Sequence, residues 1–177
     1  MKQLLKYTFF GFLIIWAGFA SASQQNKHHI RLMFVQTAGK VSIQPLAGHK
    51  NTYTITLRQM NPYVTYFSNR PYRVAGMLTV QNFINRWNQG KGPANFNQNP
   101  PNASLVALKS KFLEKSQSIN FALEVSHPQY NRAQQSLTYT IHALKGGKQI
   151  PVGNFNHVGL FIDAFMGGPC PSCIING

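Results

Sequence analysis

Near the C-terminus, Cys170 and Cys173 form the stretch CPSC. A Cys-x-x-Cys pair can be a redox dithiol, half of a metal site or a small closed disulfide. Thiol exchange of the thioredoxin type wants the first cysteine at a helix N-terminus within a β-α-β framework, where the dipole stabilises the thiolate, and nothing before Cys170 has that pattern. In an oxidising compartment the favoured reading is a local disulfide that pins the tail; metal binding, thiol exchange and an intermolecular bridge stay open as alternatives. A metal would need two further ligands. His142 and His157 could serve only if the fold carries them to the tail, Met166 could add a soft sulfur, and His28-His29 could chelate copper at the mature N-terminus.

Acid chemistry is limited by supply. The chain holds three acids, Glu114, Glu124 and Asp163, against 17 lysines and arginines. A paired-carboxylate glycosidase would have to draw on those three, and a Ser-His-Asp triad would need one of them as orienter with no Gly-x-Ser-x-Gly elbow in the sequence. Phosphate-cradling glycine motifs are absent too. The chain therefore reads as a non-catalytic protein without a cofactor.

The cations suggest binding instead. The formal charge is +14, and no Asp or Glu precedes Glu114, so the cations from Lys27 to Lys111 have no acidic neighbour in sequence. A field of this sign attracts phosphate- or carboxylate-rich surfaces such as anionic lipid headgroups, lipopolysaccharide or nucleic acid. The densest mixture of rings and cations is YFSNRPYRVAG, residues 66 to 76, followed closely by Arg86, Trp87 and Lys91. Aromatic faces between cations can stack on bases or sugars while the cations hold phosphate, which makes Arg70, Tyr72, Arg73, Arg86 and Lys91 the candidate binding residues. The same stretch also reads as a structural corner between a strand and a helix, with Pro71 extending Asn69-Arg70 and an inward Arg70 or Arg73 paired with Asp163.

Where the chain works is suggested by its start. Lys2 and Lys6 precede an apolar run from Tyr7 to Phe19 and then Ala20-Ser21-Ala22, the layout of a secretory signal peptide spanning residues 1–22. The run is shorter than the ~20 apolar residues of a membrane span. Cleavage after Ala22 would remove Lys2 and Lys6 and leave 177 less 22, or 155, residues at formal charge +12, a periplasmic or extracellular protein without a membrane segment.

Scaffold elements follow from periodicity. Period-two alternation marks half-buried strands: Tyr53, Ile55 and Leu57; Ile119, Phe121, Leu123 and Val125; Leu137, Tyr139 and Ile141; Val158, Leu160 and Ile162. Weaker runs at 30–36, 39–46, 62–67 and 103–109 fit the same scheme. Val80, Phe83, Ile84 and Trp87 have the spacing of one helix face, with Thr79 placed as N-cap and Gly90 as stop. These elements predict an all-β fold, an immunoglobulin-like β-sandwich with one short helix over 23–163, a barrel being the second arrangement, and a C-terminal tail over 164–177.

The blocks FSNRPYRVAGMLTVQNFINRW, FNQNPPNASLVAL and GNFNHVGLFID resemble those of a small family of exported bacterial proteins of unassigned function. In that family an Asp-Arg-Pro corner, a Phe and Trp helix, a Pro-Pro-Asn-Ala turn and a terminal apolar strand ending in Asp follow in this order; here Asn69 replaces the corner acid. The resemblance implies the fold and export, and names no reaction. The expectation is an exported basic protein that binds an anionic envelope or host component, or a protein partner; a Cys-x-x-Cys redox or metal protein and a structural envelope component are the alternatives.

Overall fold

A computed structural model describes residues 31–71, 73–89, 95–109 and 117–165. The signal-peptide segment, His28-His29, Tyr72, Lys91, Glu114, Met166, Cys170 and Cys173 lie outside the described residues. Eight antiparallel strands and one short helix follow in the order β1 (Arg31–Pro45), β2 (Thr52–Met60), β3 (Tyr63–Ser68), β4 (Ala75–Thr79), α1 (Val80–Asn85), β5 (Asn102–Leu108), β6 (Ser118–Asn131), β7 (Ser136–Ala143) and β8 (Gly153–Phe165).

The all-β architecture with a short helix is as the periodicity predicts. Its strands pair in the order β2-β7-β6-β5-β8-β1, and β1 pairs again with β2 from Ala38↔Met60 to Pro45↔Tyr53, so six strands close into a ring. A closed ring leaves none of those six with a free edge. Opposite walls meet across one filled core, as the layers of a sandwich do, with Ile43, Ile55, Leu57, Leu105, Leu123, Leu137, Ile141, Leu160 and Ile162 at zero exposure.

One strand serves two partners on the same edge. β1 pairs β2 through its second half and β3 through Leu32–Val35, because Asn61-Pro62 interrupts what would otherwise be a single strand. The Asn61 N–H donates to Thr37 O (3.0 Å), and the Val80 N–H donates to Pro62 O (3.0 Å). From this break β3 leaves the ring and pairs with β4, and α1 follows at once. Thr79 caps the helix, its Oγ1 accepting from the Asn82 N–H (3.1 Å).

Helix α1 touches β3, β4 and β6, and its buried face enters the core between them. Phe83 stands 5.0 Å from Phe34 and 5.6 Å from Trp87, and Trp87 stands 5.0 Å from Phe96 and 5.8 Å from Tyr139, all between ring centroids. The segment after the helix folds back over Trp87: the Phe96 N–H donates to Trp87 O (3.0 Å), and Asn95 Oδ1 accepts from the Asn97 and Gln98 N–H groups. Tilted and edge-on aromatic pairs contribute roughly 0.5–1.5 kcal/mol each beyond burial.

The alternation changes phase in a row across three strands. On β1 the inward residues are Leu32, Phe34, Gln36 and Ala38, but then Val41 and Ile43; on β2 they are Ile55 and Leu57, then Met60; on β8 Phe155, then Val158, Leu160 and Ile162. Gly39 and Gln59 stand between the paired rows Ala38↔Met60 and Lys40↔Arg58, and Gly39 and His157 stand between Ala38↔Val158 and Lys40↔Asn156. Gln59 and His157 take left-handed backbone, at φ 55 and φ 50. A Cβ on Gly39 would meet the Oε1 end of the exposed Gln59 side chain and lie 3.2 Å from Gln59 Cβ, so Gln59 would have to give way. The register is the same on both sides of this row, one residue facing one, so the three strands reverse phase together and no two-against-one bulge is needed. The runs 30–36 and 39–46 are for this reason one strand, not two.

Candidate functional site

The predicted ring-and-cation stretch is a hairpin tip. It forms the end of β3, a connection over 69–74 and the start of β4, so β4 stands between it and the helix. The Ser68 N–H donates to Val74 O and the Val74 N–H to Ser68 Oγ, both at 2.8 Å, and the Asn69 N–H donates to Arg31 O (3.4 Å), tying the tip to β1. Tyr66 is a core residue whose ring lies against Gly76, where a Cβ would meet the Tyr66 Cζ at 2.7 Å. Tyr63 and Phe67, on the opposite face of β3, are exposed.

Arg70 and Arg73 are exposed at this tip, and Arg73 has left-handed backbone at φ 47. Arg86 sits apart from them in the chain as the C-cap of α1, half-buried. The expected pairing of Asp163 with an inward Arg70 or Arg73 is corrected: Asp163 Oδ2 receives Arg31 Nη2 at 2.9 Å. The cause is strand register. β8 runs antiparallel to β1 with Met33 opposite Asp163 and Arg31 opposite Phe165, which leaves the Arg31 side chain one diagonal step from the carboxylate. Both partners are about two-fifths exposed, so water screens the pair.

Both described carboxylates share one groove. Asn102 is opposite Glu124 on one side and Asp163 on the other, and the groove of about 230 Å³ around them is lined by Arg31, Phe96, Asn99 and Pro100-Pro101. Among the described residues no group of three or more His, Cys, Asp or Glu side chains could hold a metal. His142 Nδ1 is within 3.1 Å of Thr52 Oγ1 on the neighbouring strand, and His157 stands exposed in the row where the strands change phase.

A second groove collects cations only. Lys40 is directly opposite Arg58 across β1 and β2, Lys40 is also opposite Asn156 on β8, and Asn156 is opposite Leu108, so that Lys109 comes in beside them. Lys40, Arg58 and Lys109, with Ser42, Asn154 and Asn156, line a groove of about 410 Å³ above Val41 and Phe155. No described carboxylate lines it. No family, curated protein or solved structure matches this chain.

Sequence reasoning counts these three cations among those without acidic neighbours but does not group them, since 40, 58 and 109 meet only through strand pairing. The clue in the sequence is the phase break at Gly39.

Deep in the core lies a polar trio. The Tyr139 hydroxyl donates to Gln36 Oε1 at 3.0 Å, and both residues are fully buried. Burial pushes the Tyr139 phenol well above the ordinary tyrosine range, with the Gln36 hydrogen bond opposing it weakly. Gln36 Nε2 and Trp87 Nε1 have no protein hydrogen-bond partner. Such atoms make the core more demanding, because a buried donor without a partner costs about 1–3 kcal/mol.

Proposed function

We propose that this chain is an exported, non-catalytic binding protein that presents a basic surface to an anionic polymer or membrane surface. The observation that carries the reading is the segregation of charge. Glu124 and Asp163 lie together in the groove of Arg31, while the exposed cations of the hairpin tip, Arg70 and Arg73, and of the β1–β2 wall, Lys40 and Arg58, have no carboxylate partner among the described residues. Cations without internal partners are free to exchange small counterions for a polyanion, and the release of those counterions drives association. Export is supported by the basic and apolar start followed by Ala20-Ser21-Ala22. No helix among the described residues is long and apolar enough to cross a membrane.

The test is binding of fluorescent heparin, and of vesicles rich in anionic lipid, across a salt series. Affinity falling steeply and log-linearly with salt supports the reading. Binding that ignores salt points to a protein groove, and binding to neither probe at low salt removes the reading.

A further inference from the structure

We infer that the groove of Lys40, Arg58 and Lys109 is a discrete oxyanion site that takes one phosphate or sulfate group of the polyanion. The inference rests on the binding reading above and narrows it from a surface to a place.

Two cations directly opposite each other in a β-ladder repel, and such pairs destabilise a sheet. Lys40 and Arg58 are such a pair, and Lys109 adds a third positive charge to their groove. The nearest described carboxylate on β8, Asp163, is seven residues along the strand from Asn156, about 23 Å at ~3.3 Å per residue. That separation is beyond the ~8–10 Å Debye length at ordinary salt, so Asp163 does not neutralise the groove. Glu124 is opposite Asn102, six residues along β5 from Leu108, so no described carboxylate neutralises the groove.

Backbone geometry makes the arrangement more than a chance meeting of surface side chains. If the phase of Leu32 to Ala38 continued unbroken, Lys40 would be the next inward residue of β1; the phase of Met60 would likewise turn Arg58 inward, and that of Val158 would turn Asn156 inward. The phase reversal at Gln59, Gly39 and His157 turns all three strands together and brings these polar residues to one outer groove. Lys109 is fixed from its own side, its N–H donating to Gln117 O (3.0 Å) where the chain returns to β6.

The donor set selects the ligand chemistry. Arg58 offers a planar fork, Lys40 and Lys109 offer point charges, and the Asn154 and Asn156 amides offer neutral donors. Three convergent cations with amide donors match a tetrahedral group of several anionic oxygens better than a single carboxylate. A phosphorylated headgroup, a nucleic-acid backbone and a sulfated glycan all carry that group.

The test is a two-dimensional amide NMR titration of the full chain with inorganic pyrophosphate at low salt. Saturable shifts grouped at residues 40–42, 57–59 and 154–157 are expected, with affinity reduced about tenfold or more in Lys40→Gln/Arg58→Gln and partly retained in Arg58→Lys. Because both side chains are exposed, the double variant should keep the remaining spectrum, which reports its fold directly. Displacement of pyrophosphate by heparin, or by phosphatidic acid vesicles, supports the site and tells a polymer source from a headgroup. Shifts spread equally over every exposed cation, or unchanged in the double variant, overturn it. Heparin binding abolished by Arg70→Gln/Arg73→Gln but untouched by Lys40→Gln/Arg58→Gln overturns the groove while leaving the broader binding reading intact.

Discussion

Lys40 of β1 and Arg58 of β2 stand directly opposite each other in the barrel ladder, two exposed cations in register in a groove that no described carboxylate lines. The protein keeps this repulsion in its folded state, and the consequences can be measured.

Relieving the repulsion should stabilise the fold. Lys40→Glu places a carboxylate opposite Arg58, and the expected gain is about 0.2–1 kcal/mol at low ionic strength, shrinking as salt screens both charges. Urea unfolding at low and high salt checks it. A loss of stability at low salt would show that the two cations are not electrostatically coupled.

The phase reversal should depend on Gly39. Gly39→Ala brings a Cβ to 3.2 Å from Gln59 Cβ and against its Oε1; the exposed Oε1 end can swing away, so the expected cost is at most about 1 kcal/mol. Gln59→Gly removes the obstruction and suits the left-handed φ of 55 at that position. The double variant Gly39→Ala/Gln59→Gly should therefore recover most of the loss in a thermodynamic cycle. Equal cost with and without Gln59 would mean that the close approach is not what selects glycine.

The core hydrogen bond should be costly to halve and cheap to remove whole. Tyr139→Phe leaves Gln36 buried without its donor and should cost about 1–3 kcal/mol, whereas Gln36→Leu/Tyr139→Phe should be closer to wild type. Denaturant midpoints of the three variants decide the point.

Alkaline pH should act through the same residue. The folded Tyr139 phenol is held above its unfolded value by desolvation, so the folded state keeps a proton that the unfolded state gives up. Its contribution to stability is present in full below the unfolded pKa of about 10 and is lost as pH rises from there toward the higher folded value. An ultraviolet titration should find one phenol that ionises only with unfolding, and Tyr139→Phe should flatten the fall of stability above about pH 10. Ionisation of every phenol in one step near 10 would contradict the burial.

Cys170 and Cys173 carry a covalent prediction. Protein denatured without reductant should show no free thiol, and two after reduction, by colorimetric counting. Two free thiols before reduction would return the pair to thiol or metal chemistry.

What the sequence reveals of this fold is whatever is local. Ile55 and Leu57, Phe121 to Val125, and Leu137 to Ile141 alternate cleanly because each lies in a stretch with one inward face, and Val80, Phe83 and Trp87 mark the helix because it has a single buried stripe. The phase change at Gly39 defeats the same reading, since alternation cannot tell a reversal within one strand from a break between two. Closure of the ring is invisible for a different reason: nothing in β1 alone announces that β2 and β3 share its edge. The partner of Asp163 was open to error on the same grounds, as Arg31 reaches it through the β1–β8 register and not through nearness in sequence. The stretch over 66–76 reads in sequence as a cation-rich corner leading into the helix, whereas β4 follows it and makes it a hairpin tip, and the basic groove, built from residues 40, 58 and 109, is not legible at all.

The most direct test of the binding account is the salt dependence of heparin affinity for the wild-type chain beside Lys40→Gln/Arg58→Gln and Arg70→Gln/Arg73→Gln. The account predicts a steep log-linear fall with salt for wild type, and a shallower slope for each variant by roughly one unit per phosphate or sulfate contact removed. An affinity that stays level between low and high salt, with identical slopes in all three proteins, would contradict it.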